Sequence, residues 1–195
     1  MSVDKNAVQE SAPPVPARAK TDVLPAGGFA HWPVCGAVFL TFLILDHATK
    51  YWAITALKPA GYDASRLTQE MYDRAPVVTI LPGLLDLRYA ENTGMAFSMF
   101  LGKTMMLGVV SLIATALLVY FWRSLPAREI IGRLAVASIL SGAVANMIDR
   151  FARNYVVDFI HAFWHDHHWP TFNIADSCIC VGACVLAVQL LRGKI

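Results

Sequence analysis

Four long apolar runs, too little charge for a water-solvated surface, and carboxylates where those runs end predict an all-α membrane protein. It has four transmembrane helices and a small β-sheet between the first two. The 195-residue chain is 56% hydrophobic and 15% charged, against about 25% charged in an ordinary soluble domain. Its 16 Lys and Arg nearly balance 14 Asp and Glu, and there is no basic tract. Nucleic acid is therefore not expected as a partner, because nothing supplies the electrostatic footprint it requires.

Residues 1–28 hold Pro13, Pro14, Pro16 and Pro25 among small and polar residues, with no apolar periodicity. They are predicted to be a disordered leader, and 29–195 the membrane domain. The apolar stretch after Phe29 outruns the roughly 7–15 residues of a cleavable signal peptide, so the first span is expected to be permanent. A span needs about 20 apolar residues at 1.5 Å rise each. The candidates are 32–56, containing Asp46 and Lys50; 104–122, without a charge; 134–148, ending at Asp149-Arg150; and 172–191, with Asp176 near its start. Four spans leave both termini on one side. Lys and Arg divide evenly between the two sides, so the charge rule gives only a slight preference for cytoplasmic termini. In the insertion at 57–103, Val77-Val78-Thr79-Ile80-Leu81, the Pro82-Gly83 turn and 84–89 read as two strands.

A carboxylate or ammonium at mid-bilayer costs about 2.5–3.5 kcal/mol on insertion scales, so each needs a partner or a task. Asp46 and Lys50 lie four apart on one helix face and can neutralise each other, direct chemistry being the alternative. Asn146 and Arg150 are another i, i+4 pair, beside Asp149. Asn173 and Asp176 are an i, i+3 pair opening the fourth span. The third and fourth spans are antiparallel neighbours joined by about 23 residues, so these polar clusters emerge at one membrane face. Asp158 lies in that joining loop between Val156, Val157, Phe159 and Ile160.

Three carboxylates thus converge on one interfacial pocket. Two carboxylates forced together share a proton, which allows one to act as base and the other as acid, the basis of aspartic proteolysis. Arg150 and Arg153 can hold Asp149 ionised in a bracing role. Asp158 has only apolar neighbours, and Asp176 sits in the first turn of a helix, where the dipole favours its anion. These features favour Asp158 with Asp176 and leave Asp149 with Asp176 open.

No metal or other cofactor is expected. His165-Asp166-His167-His168 is accompanied by no HExxH, and so close a run does not readily close a tetrahedron, so a solvated loop is predicted. Cys35, Cys178, Cys180 and Cys184 form no CxxC pair and read as small hydrophobes. Trp164, Trp169, Tyr51 and Trp52 fit an interfacial aromatic belt.

Five blocks in order resemble the bacterial lipoprotein signal peptidases, signal peptidase II, over residues 32–192. They are Asp46-His47-Ala48-Thr49-Lys50, then Glu91-Asn92-Thr93-Gly94-Met95-Ala96-Phe97, then Ser141 through Asn146 to Asp149-Arg150, then Val157-Asp158-Phe159, and finally Phe172-Asn173-Ile174-Ala175-Asp176-Ser177. The resemblance implies an aspartic endopeptidase of the bacterial inner membrane that cleaves prolipoproteins before their diacylglyceryl-cysteine. It implies Asp158 and Asp176 as the catalytic pair. Asn92, Gly94, Asn146, Asp149, Arg150, Asn173, Asp46 and Lys50 would support the site or bind substrate. It further implies cytoplasmic termini, a periplasmic β-cradle near 77–97 and an active site at the periplasmic face. The expected partners are lipid-modified precursors and membrane lipids, with the chain acting as a monomer. Ser141 and Met95 stand where the family often has smaller residues. The main rival reading is a small proton- or ion-coupled transporter, since intramembrane Asp and Lys also mark ion paths; most of these acids, however, cluster at one face.

Overall fold

A computed structural model describes residues 31–62, 74–94, 100 and 102–195. The leader at 1–28, and Met95, Ala96 and Phe97 of the second block, lie outside the described residues. The elements in order are α1 (Trp32–Ala56), β1 (Val77–Leu81), β2 (Leu85–Asn92), α2 (Thr104–Ser124), α3 (Ile130–Arg153), β3 (Val156–Trp164), β4 (His167–His168) and α4 (Ile174–Leu191). All four helices are long and apolar enough to cross a membrane. Their outward faces carry Leu40, Ile44, Val110, Ile113, Leu117 and Leu190, all exposed, as helices solvated by lipid should be.

Local chemistry sets the helix ends. Pro33 opens α1, where its missing N–H is not needed, and Pro59 follows its last turn. α3 runs five residues past the expected 148 and ends at Asn154, whose φ of 63° is the left-handed conformation that terminates helices. α4 starts at a capping box. The Asn173 side chain accepts the Asp176 N–H and the Asp176 side chain accepts the Asn173 N–H. Asn173 and Asp176 are thereby fixed relative to each other by local hydrogen bonds.

α3 is the central helix and packs against α1, α2 and α4. Its contact with α4 is close enough to require glycine. A Cβ at Gly142 would meet the Ala175 carbonyl oxygen at 2.2 Å, and one at Gly182 would meet the Ala135 oxygen at 2.8 Å. Small residues let helix backbones approach in this way in lipid, and Gly142 lies directly against the first turn of α4.

The sheet is larger than the sequence predicts. The first two strands occur where expected, but the order β1-β2-β3-β4 makes a four-stranded antiparallel sheet. The connection after α3, expected to be a loop, supplies half of it. Val156 to Ile160 is a largely β-branched apolar run that pairs along the inner edge of β2, so its hydrophobicity reflects a buried strand and not merely the surroundings of Asp158. His165 and Asp166 turn β3 into β4, and His167 and His168 pair with Trp164 and Phe163. The predicted solvated loop is therefore an exposed hairpin tip. Ala53 and Leu57 of α1 pack with Tyr89, Val157 and Phe159, which seats the sheet on the helices. Cys35, Trp122, Leu125, Val136 and Ala137 form a second core at the opposite end.

Gly142→Ala is expected to cost about 1–3 kcal/mol by overpacking and to displace the start of α4, lowering both the melting temperature in detergent and the activity. Gly36→Ala, with open space at its Cβ, should change neither. A Gly142→Ala protein melting like wild type would contradict the close α3–α4 contact.

Candidate active site

The polar residues of the spans meet at the end of the helices beneath the sheet, around the ammonium of Lys50, which is 1% exposed. Its Nζ lies 2.8 Å from Asp46 Oδ2 and 2.9 Å from Asp149 Oδ2, and it donates to Asn146 Oδ1 at 2.9 Å. The i, i+4 pair expected within α1 is present, but Lys50 also bridges to α3. Asp46 Oδ1 accepts the Ala175 N–H of α4 at 2.8 Å.

Asp149 faces Lys50 and Arg153 and accepts the Val157 N–H at 3.4 Å. Its bracing cations are thus Lys50 and Arg153, and not the expected Arg150 and Arg153. Neighbours at i, i+1 on a helix do not face each other, and Arg150 turns instead to the Gly94 carbonyl at 3.3 Å and the Asn146 carbonyl at 3.4 Å. The expected Asn146–Arg150 pairing therefore runs through the Asn146 backbone.

Asp158 on β3 is 2% exposed. Its Oδ1 accepts from Asn173 Nδ2 at 2.7 Å and its Oδ2 from Asn92 Nδ2 at 3.0 Å. Asp176 accepts from Asn146 Nδ2 at 2.7 Å and from the Asn173 N–H at 3.3 Å. Asn173 thus holds both carboxyls, one through its side chain and one through its backbone.

Each asparagine amide has its orientation set from behind. Lys50 has only protons to give, so Asn146 presents Oδ1 to it and NH2 to Asp176. The Asp176 N–H occupies Asn173 Oδ1 at 2.9 Å, turning its NH2 to Asp158. The Gly94 N–H occupies Asn92 Oδ1 at 3.0 Å, with the same result. Three amide donors therefore converge on two carboxyls.

Burial first, and the neighbouring Asp176 carboxyl second, push Asp158 up to about 7, against the opposing pull of Asn92 and Asn173. A proton can thus be held at neutral pH beside a second carboxyl that is itself hydrogen-bonded. Asp176, Asp158 and Asp149 all lie within electrostatic reach of Arg150. The donor set is wrong for a metal: amide N–H groups, an ammonium and a guanidinium surround these carboxyls, where a cation needs acceptors.

The structure brings together Asp46, Lys50, Asn92, Gly94, Asn146, Asp149, Arg150, Asp158, Asn173 and Asp176. The sequence assigned no role to Lys58, to Tyr89 and Glu91 of β2, or to His161, whose Nε2 lies 3.1 Å from His168 Nδ1. For Glu91, the available signal was an acid directly beside Asn92 in a strand.

Replacing Lys50 by Met leaves Asp46 and Asp149 buried without their shared cation. A loss of about 3–5 kcal/mol is expected, visible as poor accumulation or a large fall in melting temperature, with partial recovery when Asp46→Asn is added. A Lys50→Met protein as stable as wild type would show that the ammonium is not the hub.

The chain is similar to known proteins in sequence and in fold. The family described as Signal peptidase (SPase) II matches residues 38–192. The lipoprotein signal peptidase of Geobacter metallireducens is 37% identical over 155 residues, covering 78% of this chain and 86% of that protein. That of Geobacter sulfurreducens is 35% identical over 162 residues, covering 82% and 92%. A bacterial membrane enzyme solved by the in meso method at 2.3 Å resolution superposes with a TM-score of 0.68 at 25% identity, over 83% of this chain and 90% of that one. None of these supports a transporter. With four membrane-capable helices, a buried carboxyl beside a half-buried one and a family match over residues 38–192, the chain is a multi-pass membrane protein belonging to the signal peptidase II family of aspartic peptidases.

Proposed function

We propose that the chain removes the signal peptide from prolipoproteins, cutting N-terminal to the diacylglyceryl-cysteine, with Asp158 and Asp176 as its catalytic pair. The observation that carries this reading is the converging donor set: two carboxyls held by three oriented asparagine amides, one of the carboxyls keeping its proton to about pH 7. Asp176 lies at a helix N-terminus and accepts from Asn146 and from the Asn173 backbone, which stabilises its anion. It takes the proton of a water placed between the pair. Protonated Asp158 donates to the scissile carbonyl oxygen as the water oxygen bonds to its carbon. The C–N bond of the resulting gem-diol then breaks as Asp176 passes its proton to the leaving amine and a diol hydroxyl returns one to Asp158.

Arg150 has a buried Nε without a hydrogen-bond partner among the described residues and, with Asn146 and Asn173, suits the orientation of a substrate backbone. The lipid chains of the substrate would stay in the bilayer along the exposed apolar helix faces, so the membrane itself sets the height of the scissile bond. Membership of the family supports a location in the bacterial inner membrane, with cytoplasmic termini and the sheet and pair on the periplasmic face. The same reading has the chain act as a monomer.

Purified protein incubated with a lipidated precursor should release the signal peptide. Asp158→Asn and Asp176→Asn should each lower kcat by about 10²–10⁴-fold while still accumulating in the membrane. Because the shared proton is lost as pH rises through the raised value of Asp158, kcat/KM should fall on the alkaline side with an inflection near 7. Wild-type-like cleavage by either variant would remove that residue from the pair.

A further inference from the structure

We infer that Lys58 and Glu91 are positioning residues that lock the register of β2 and thereby hold Asn92 against Asp158. The inference rests on the peptidase reading. β2 meets β3 in two registers. Leu85, Asp86 and Leu87 oppose Ala162, His161 and Ile160, whereas Ala90, Glu91 and Asn92 oppose Asp158, Val157 and Val156. Between the two sets β2 advances three residues and β3 only two, so Arg88 and Tyr89 contain one extra residue. Such bulges re-aim side chains next to active sites.

Beyond the bulge, Asn92 lies diagonally across from Asp158 and donates to it at 3.0 Å. A slip of one residue would turn Asn92 to the opposite face and bring Glu91 toward the carboxyl pair. Apolar alternation cannot prevent that slip, because Glu91-Asn92-Thr93-Gly94 contains no apolar residue.

What does distinguish the two registers is a cluster on the far side of the strand. Lys58, just beyond α1, places Nζ 2.9 Å from Glu91 Oε1. The Tyr89 hydroxyl donates to the same oxygen at 2.9 Å. The ammonium also lies 5.6, 5.2 and 5.8 Å from the ring centroids of Tyr62, Tyr89 and Tyr155, within cation–π range. Tyr62 packs edge-on against Tyr89 with centroids 5.0 Å apart.

The cluster therefore joins the end of α1, the bulge in β2 and the residue preceding β3. Glu91 is satisfied only while it points away from Asp158, and by strand alternation that makes Asn92 point toward it. The Lys58 charge persists through neutral pH. The Glu91 bond holds the Lys58 ammonium above its usual range, and burial holds the Tyr89 hydroxyl protonated as a donor.

The test compares pH profiles of precursor cleavage for wild type, Lys58→Met, Lys58→Arg, Glu91→Gln, Asn92→Ala and the Lys58→Met/Asn92→Ala double variant. Lys58→Met and Glu91→Gln should each lose about tenfold in kcat/KM. Their alkaline inflection should rise by about one pH unit, because anionic Asp158 loses a donor. Lys58→Arg should retain the wild-type inflection, and Lys58→Met should add nothing once Asn92 is Ala. Glu91→Gln, a change of one atom, keeps the test readable if Lys58→Met fails to fold. An unmoved inflection, or losses that add in the double variant, would overturn the inference. Precursor cleavage by wild type and its absence in Asp158→Asn test the peptidase reading separately, whatever these variants do.

Discussion

The Lys50 ammonium, enclosed by Asp46, Asp149 and Asn146, is the interaction on which the rest of the structure depends. Removing an ammonium from water is so costly that a buried one is tolerated only when its acceptors are all in place. These acceptors lie on α1 and α3, and they are themselves tied to α4 through the Ala175 N–H and to β3 through the Val157 N–H. The cation thus acts as a registration device for the helices. Gly142 contributes from the apolar side by allowing α4 to approach α3 at backbone distance. Polar satisfaction and close packing therefore specify the same placement for the first turn of α4, where Asp176 lies.

From that hub the order passes outward through amides. Lys50 orients Asn146, the α4 capping box orients Asn173, and the Gly94 N–H orients Asn92; each then turns its NH2 toward a carboxyl. An amide whose oxygen is already occupied cannot flip without losing two hydrogen bonds. The surroundings of the pair are thus set before substrate arrives, a condition for electrostatic catalysis without reorganisation. The pair draws on both layers of the fold, Asp176 from a helix and Asp158 from a strand. Its geometry consequently depends on how the sheet sits on the bundle, and the Tyr89, Val157 and Phe159 packing against α1 governs that seating.

Much of this was legible in the sequence. Spans longer than any soluble core needs, Asp46 and Lys50 one helical turn apart, and Asn173 three residues before Asp176 all obey local rules that survive folding. The identity of the second cation on Asp149 was not legible, because Lys50 lies almost a hundred residues away and only tertiary packing brings it there. β3 was obscured because a short apolar run flanking an acid looks the same in a loop as in a strand, and its partner strand lies two membrane-capable helices away in sequence. The role of Glu91 depends on a bulge, and a bulge is a property of two strands, invisible in either alone.

The central claim is that Asp158 and Asp176 jointly hold a single proton at neutral pH. Infrared titration of the carboxyl C=O band in the membrane-embedded protein measures this directly. The account predicts one protonated carboxyl that persists to about pH 7 and disappears from the spectrum of Asp158→Asn. Both carboxyls ionised well below neutrality in the wild type would contradict it.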